Sequence, residues 1–423
     1  MPELAIQEAR QIAKEAYVFG FPFVANYRIF IYPLVSGSPF MQGASFNQFA
    51  HNRLPFPPTT PDTTQRDTIF SLGILDLRRE PVVISVPDVP QGQVYMLQMG
   101  DTSTESLPYI STLTTGNQAG DYVLVGPDFQ GYPPAARFDG VITTRGQFVV
   151  MLGRTVIFDP DDLSSAHAVQ DGMRMRPLSA FLGSEPPPEP EAVDFLPWDP
   201  EAAEGLGAFD FINMALAWHP PAIYEMESMA SFARIGVIPG QRFSTAGLPA
   251  EVVQAVEESV AEARAEIAKL ADETAGGELV GTWRWGTKDI SRFGQDYLTR
   301  AVIALKTIYP NAPDHAIYGL ANQDLAGEPL RGQNTYEMRF EAGQTPPVDW
   351  FWSVTMYDAE TTAMVPNSLE RYSISDRTPG IQFDHDGSLT LIFGHAEPDD
   401  RSNWLSASRA CFLPDPAPVR RQV

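Results

Sequence analysis

The stretch Val82-Val83-Ile84-Ser85-Val86-Pro87-Asp88-Val89-Pro90-Gln91-Gly92-Gln93-Val94-Tyr95-Met96-Leu97-Gln98-Met99 decides the fold class. It holds two short apolar runs, Val82 to Val86 and Gln93 to Met99, set apart by Pro87-Asp88 and Pro90-Gln91-Gly92. Such runs read as strands, because β-branched and aromatic side chains suit a pleated, half-buried surface and proline cannot donate to a ladder. The rhythm continues outward. Tyr122 to Val125 follows Gly120-Asp121 and stops at Gly126-Pro127, and Phe148 to Leu152 follows Arg145-Gly146. Strands between turn signals at this spacing predict a β-sandwich.

On either side the hydrophobic period lengthens. Leu4, Ala5, Ile12, Ala13, Ala16 and Phe19 predict a helix over 4–19 that Gly20 and Pro22 end, with a second over 23–34. Residues 36–66 read as loop, and Pro186 to Pro200 as a linker. Further helices are expected over 208–218, 221–234, 249–274 and 296–307. In the third, Val252, Val256, Val260, Ala263, Ile267 and Leu270 step by three or four; in the fourth, Asp296 and Arg300 stand at i,i+4. After Pro310 strands return, at Tyr336 to Phe340, Trp350 to Tyr357 and Leu389 to Phe393. The expected chain is mainly β with a helical insert, an α+β arrangement. Its units are N-terminal helices and loop (1–66), a β-sandwich domain (67–185), a linker and helical region (186–310) and a second β-domain (311–423).

Composition narrows the function. The chain has 423 residues, 43% hydrophobic and 19% charged, which is a globular balance with material for more than one core. Its 53 acidic and 29 basic residues give a net charge of −24, which removes the electrostatic route to nucleic acid and to anionic membranes. The single cysteine, Cys411, excludes an internal disulfide and reads as a core-edge thiol. None of the six histidines lies three or four residues from another, so no local metal site is expected. Phosphate-binding glycine loops and the Gly-x-Ser-x-Gly elbow are missing, and no cofactor is expected. Met1-Pro2-Glu3-Leu4 lacks the basic start of a signal peptide. The most apolar run, Ala16 to Val35, carries Gly20, Pro22, Asn26 and Arg28 and reads as core, so a soluble, cytoplasmic protein is expected.

Chemistry is sought where polar residues sit among apolar ones. Asp67, entering a strand in Gln65-Arg66-Asp67-Thr68, either caps backbone amides or supplies a carboxylate to a pocket. Tyr95, Leu97, Met99 and Asp101 share one strand face, which places Asp101 at a solvent rim or in a pocket. Phe351, Ser353, Thr355 and Tyr357 share a face of a strand apolar on both sides, giving three hydroxyls that either bond within the core or wall a ligand site. Arg154, after an apolar strand, is expected to pair with Asp159 or Asp162 or to hold an anionic group.

Taken in order, several segments resemble a bacterial two-domain family of unknown function, catalogued as domain 1254 (N-terminal) and domain 1214 (C-terminal). The matching pieces include Glu15-Ala16-Tyr17-Val18-Phe19-Gly20-Phe21-Pro22, Asp67-Thr68-Ile69-Phe70-Ser71, Thr114-Thr115-Gly116 and Leu152-Gly153-Arg154-Thr155. Asp296 to Ala301, Phe351 to Asp358, Arg371-Tyr372-Ser373 and Asn403-Trp404-Leu405 continue the series. The resemblance implies an immunoglobulin-like sandwich, a helical connector, a C-terminal jelly roll and homo-oligomerisation; it brings no established reaction. Gln65 and Phe70 stand where the family usually has Asn and Tyr. The resulting expectation is a cofactor-independent enzyme (hydrolase, lyase or isomerase) acting on a small, fairly apolar metabolite. Asp67, Asp101 and Tyr357 are its catalytic candidates, and Arg154, Phe351, Ser353, Thr355 and Arg371 its substrate-binding candidates. The alternative is a non-catalytic small-molecule-binding or assembly protein.

Overall fold

The computed structural model describes residues 4–38, 41, 43–61, 64–274, 277–286, 289–408 and 412–416; Cys411 lies outside them. Two antiparallel-rich sheets build the N-terminal β-unit. The first runs in the order β1 (Phe49–His51), β2 (Thr68–Asp76), β8 (Phe148–Val156), β4 (Tyr95–Asp101) and β5 (Ile110–Ser111). The second runs β7 (Gly140–Thr143), β6 (Gly120–Val125), β3 (Val82–Val86) and β9 (Arg174–Pro177), with β6 and β7 parallel. Alternation along the strands explains the layering. Leu75, Tyr95, Leu97, Met99, Val149 and Met151 meet Val82, Ile84, Val86, Tyr122 and Leu124 in one core between the sheets. Their neighbours Ile74, Phe148 and Val150 point the other way, into a core shared with the helices.

That helical layer holds α1 (Ile6–Asn26), a π turn (Tyr27–Ile31), α2 (Tyr32–Val35), α5 (Pro200–Glu204), α6 (Ala208–Trp218), α7 (Met226–Phe232), α8 (Ala250–Thr274) and α9 (Tyr297–Lys306), while α3 (Ser164–Gly172) packs through Val169 into the core between the sheets and α4 (Leu178–Leu182) packs through Leu178 against Val83 and Val123. The expected break at Gly20 and Pro22 does not occur. The apolar stripe Ala16, Phe19, Phe23, Val24 and Tyr27 is buried straight through it. Packing along that stripe outweighs the ~3 kcal/mol that an interior proline costs. Gly20 serves close approach instead: a Cβ there would lie 2.3 Å from Ile212 Cδ1 of α6. Ile6–Val35 is, among the described residues, the one stretch long and apolar enough to cross a membrane, and 56% of its most apolar window is buried inside the fold.

Three other expectations change. Phe49–His51, read as loop, pairs with Leu72 and its neighbours at the edge of the first sheet, where a short strand needs little propensity of its own. The segment before Pro200 has no regular structure but is tied down: Arg78 and Arg79 donate to the carbonyls of Glu191 and Pro187, and Phe195 and Trp198 join the aromatic core. Asp296 does not pair with Arg300; its carboxylate caps Thr299 N–H while the Arg300 side chain turns inward.

The C-terminal unit is also β-rich. β10 (Glu278–Val280) and β11 (Trp283–Trp285) lie within the region expected to be helical and pair with each other, and β11 pairs in turn with β12 (Gly319–Ala321). β13 (Tyr336–Phe340), β16 (Leu389–Gly394) and β17 (Trp404–Ser406) form a second sheet; β15 (Ser373–Ser375), β14 (Ser353–Asp358) and β18 (Phe412–Pro416) form a third. Trp352, Val354 and Met356 meet Leu389, Leu391 and Phe393 in its core. The fold is mixed α and β, with several sheets and with helices at the N-terminus and between the β-units.

Candidate functional site

Asp101 ends β4 and begins a tight turn: its N–H donates to Glu105 O and its carbonyl accepts Thr104 N–H. The side chain is buried, and Oδ1 accepts Ser103 N–H (2.9 Å), the Ser103 hydroxyl (2.6 Å) and Glu105 N–H (3.3 Å). Thr104 adopts φ 74, a left-handed conformation unusual for a threonine. Asn26 of α1 donates to its hydroxyl at 3.0 Å, and Tyr309 donates to the Asp101 carbonyl at 2.8 Å. The turn is thus held from two other segments, α1 and the chain just after Lys306.

A cavity of about 310 Å³ opens beside it, lined by Asp101, Ser103, Glu105, Thr144, Arg145, Tyr224 and Arg300 among others. That volume suits a small molecule. Glu105 accepts the N–H groups of Phe293 (3.0 Å) and Gly294 (3.3 Å). Burial raises its pKa; those N–H groups pull it back, and Asp101 adds to the rise. Arg300, on α9, is buried: it donates to Phe19 O at 3.0 Å, lies over the rings of Phe19 and Tyr297, and leaves Nε without a partner. Burial lowers its pKa against the opposing charges of Asp101, Glu225 and Glu105, and a guanidinium stays charged regardless.

His219 caps the C-terminus of α6 and is buried behind Asp101, with Nε2 3.8 Å from Asp101 Oδ2. Burial pushes its pKa down to about 4; Asp101 raises it and Arg145 and Arg300 lower it further. The imidazole is therefore neutral at pH 7. Arg145 reaches His219 Nε2 at 3.2 Å, Glu225 at 3.4 Å and the Tyr224 hydroxyl at 2.9 Å. Glu225 is in turn held by Ala222 N–H at 2.6 Å and by the Tyr297 hydroxyl at 3.3 Å.

Of the residues singled out from the sequence, Asp101 lies in this cavity. Asp67, Ser353 and Phe351 come together elsewhere, at the seam between the β-units: Ser353 donates to Asp67 at 2.7 Å, Arg377 pairs with Asp67 at 3.3 Å and lies 4.0 Å over the Phe351 ring. Thr355 is buried on the same strand, and Tyr357 donates to Thr64 O at 3.1 Å. Arg154 donates to Gln98 Oε1 at 2.9 Å and lies over Phe70. Among the described residues it makes no ion pair with Asp159 or Asp162; its guanidinium is taken up by the Gln98 and Asn311 side-chain oxygens and the Phe70 ring instead. Arg371 donates to the carbonyls of Arg401, Ser402 and Trp404. Of all these residues only Asp101 lines the 310 Å³ cavity.

Glu105, Arg145, His219, Glu225 and Arg300 are not among the site candidates read from the sequence, where Arg300 stands out only as the i,i+4 neighbour of Asp296. Their spacing along the chain carries no motif; the one local signal was His219 before Pro220-Pro221, a helix stop that places a polar ring at a helix end.

Two family models match, each described as a protein of unknown function: DUF1254 over residues 46–177 and DUF1214 over residues 315–413. The chain belongs to this two-domain family. No curated protein matches it. The crystal structure of the VPA0106 protein from Vibrio parahaemolyticus is similar, with 24% identity, a TM-score of 0.76 and coverage of 98% of this chain and 96% of that one. It shares the fold. An uncharacterized protein from Burkholderia cenocepacia aligns over 98% of this chain and 94% of its own at 11% identity, with a TM-score of 0.44. In this family member, Gln65 accepts Thr68 N–H at 3.1 Å, and Phe70 lies under the Arg154 guanidinium.

Proposed function

We propose that this protein is a cofactor-independent acid–base enzyme whose site is the Asp101–Glu105 cavity. One observation carries the reading: a carboxyl group with a raised pKa, Glu105, lines a small-molecule-sized cavity beside two guanidinium groups. Glu105 is the group assigned to give and take the proton, Asp101 orders the turn that presents it, and Arg145 and Arg300 stabilise charge developing on a substrate oxygen. Asp101, Glu105 and Glu225 set three negative charges against the two arginines, in a chain of net charge −24. That balance disfavours an anion, and the hydroxyls of Ser103, Thr143, Thr144 and Tyr224 share the wall with apolar surface. The substrate assigned is therefore a small neutral molecule that carries hydroxyl or carbonyl groups on a partly apolar frame.

On the resemblance, the fold proposed in finer detail is an immunoglobulin-like sandwich for the N-terminal unit and a jelly roll for the C-terminal one, assembled as a homo-oligomer. The net charge of −24 and the sequence of the N-terminal region support a cytoplasmic protein without nucleic-acid or membrane partners.

Thermal-shift screening with small sugars and polyols, set beside small carboxylic acids and amines, tests the substrate class. Proton NMR in D2O then follows deuterium uptake or turnover of each binder. The expected result is that neutral hydroxyl compounds raise the Tm, and that Glu105→Gln keeps this shift while abolishing exchange. Stabilisation by anions alone overturns the substrate class. Binding with no turnover of any binder favours the non-catalytic reading, which the capped His219 nitrogen also suits.

A further inference from the structure

We propose that Ser111, His315 and Asp314 form a second chemical centre, a serine nucleophile that accepts a small acyl group from an activated ester. Ser111 Oγ lies 3.1 Å from His315 Nε2, and His315 Nδ1 lies 2.8 Å from Asp314 Oδ1. An ionised carboxylate only accepts, so its bond to Nδ1 puts the ring proton there and leaves Nε2 as an acceptor. Within the Ser111–His315 pair the hydroxyl is then the donor. Thr114 Oγ1 lies 2.9 Å from the same hydroxyl and, with its own proton given to Tyr109 O at 2.9 Å, is a second acceptor for it, while the Thr114 backbone N–H donates to Ser111 Oγ at 3.1 Å. This donor order lets an imidazole take the serine proton as the oxygen attacks.

The surroundings fix the geometry from both sides of the seam between the β-units. Ser111 is paired with Met96 in the first sheet. The His315 ring stacks on Tyr109 with centroids 3.9 Å apart and an interplanar angle of 24°, and the Tyr109 hydroxyl accepts Ala312 N–H at 3.0 Å. A cavity of about 10 Å³ touches Ser111 and His315, with Tyr95, Thr112, Leu113 and Trp350 around it. It takes one water-sized group, the methyl or the carbonyl oxygen of a formyl or acetyl ester, and nothing larger. It shares no lining residue with the Asp101 cavity, so the two sites stand or fall separately.

The step balances without a further reagent. Ser111 Oγ forms a bond to the ester carbonyl carbon and its proton passes to His315 Nε2. The bond from that carbon to the leaving oxygen breaks, and the leaving alkoxide or phenoxide takes the proton from the imidazolium. Water attacking the acyl-serine by the same route releases the acid. Asp314 positions the ring throughout.

Full-length protein incubated with p-nitrophenyl acetate, quenched in acid and digested, is read by mass spectrometry for acetyl on the Ser111 peptide. Acetyl-Ser111 is expected in the wild type, together with a nitrophenolate burst, and Ser111→Ala removes both. His315→Gln should slow acetylation by about 10²-fold or more. Asp314→Asn, at a partly exposed position, should lower the maximal acetylation rate with the half-saturating ester concentration and the Tm unchanged. Folded wild-type protein without acetyl at Ser111 overturns the proposal. So does acetylation at the wild-type rate in His315→Gln or, if that variant does not fold, in Asp314→Asn.

Discussion

The guanidinium of Arg145 donates to Nε2 of His219 across 3.2 Å, which leaves Nδ1 as the protonated nitrogen, 3.3 Å from the Thr102 hydroxyl. The ring is a neutral, oriented part of the cavity wall. Because its pKa falls from 6.5 to about 4 on folding, the unfolded chain binds more protons between those values, and stability rises with pH there. This contribution is fully present above about 6.5 and is lost as the pH falls towards about 4. Urea titrations across that window should show a smaller pH slope for His219→Asn than for the wild type; equal slopes would contradict the assignment. Nitrogen-15 shifts should report the Nδ1–H tautomer.

Gly146 is the position that makes room for this ring. A Cβ there would stand 2.7 Å from His219 Nδ1. Gly146→Ala should cost about 1–3 kcal/mol by overpacking and should change the His219 ring shifts. Wild-type stability with unchanged shifts would show that the ring has more freedom than its contacts imply.

Burial raises the pKa of Asp67, against the pull of Arg377 and of the Ser353 hydroxyl. A raised folded pKa contributes stability below the ordinary carboxylate range and loses it as the pH rises through the folded value, opposite in sign to His219. Asp67→Ala strands the Arg377 guanidinium between the β-units and should destabilise by about 3 kcal/mol. The double variant Asp67→Leu with Arg377→Met should recover most of that loss. Urea unfolding measures both, and a single variant as stable as the double one rules out a coupled pair.

Tyr357→Phe removes the bond to Thr64 O and should cost about 1 kcal/mol in Tm-derived stability. Ligand-induced thermal shifts should be unchanged, because Tyr357 does not line the Asp101 cavity. A lost shift would move the site to the seam.

Much of the architecture was legible because it is written in local periods. The α6, α8 and α9 helices and the strands β3, β4, β6, β8 and β14 follow apolar spacings and turn residues that act over a few neighbours. Pro22 misled the reading because a local rule lost to burial of Phe19, Phe23 and Tyr27 across the whole helix. Phe49–His51 was silent because an edge strand takes its order from its partner.

The candidate site divides along the same line. The acidic character, the lack of local metal and nucleotide motifs, and the place of Asp101 at the end of an apolar strand face are readable from the amino-acid order alone. What surrounds that carboxylate is set by packing between distant segments: Glu105 from the same turn, Arg145 from the β7–β8 connection, His219 from the end of α6, Glu225 from the turn before α7, and Arg300 from α9. Periodicity reports which face of an element is buried. It does not report which other elements are brought against that face, and a site assembled from five separate segments exists only once the sheets and helices have packed.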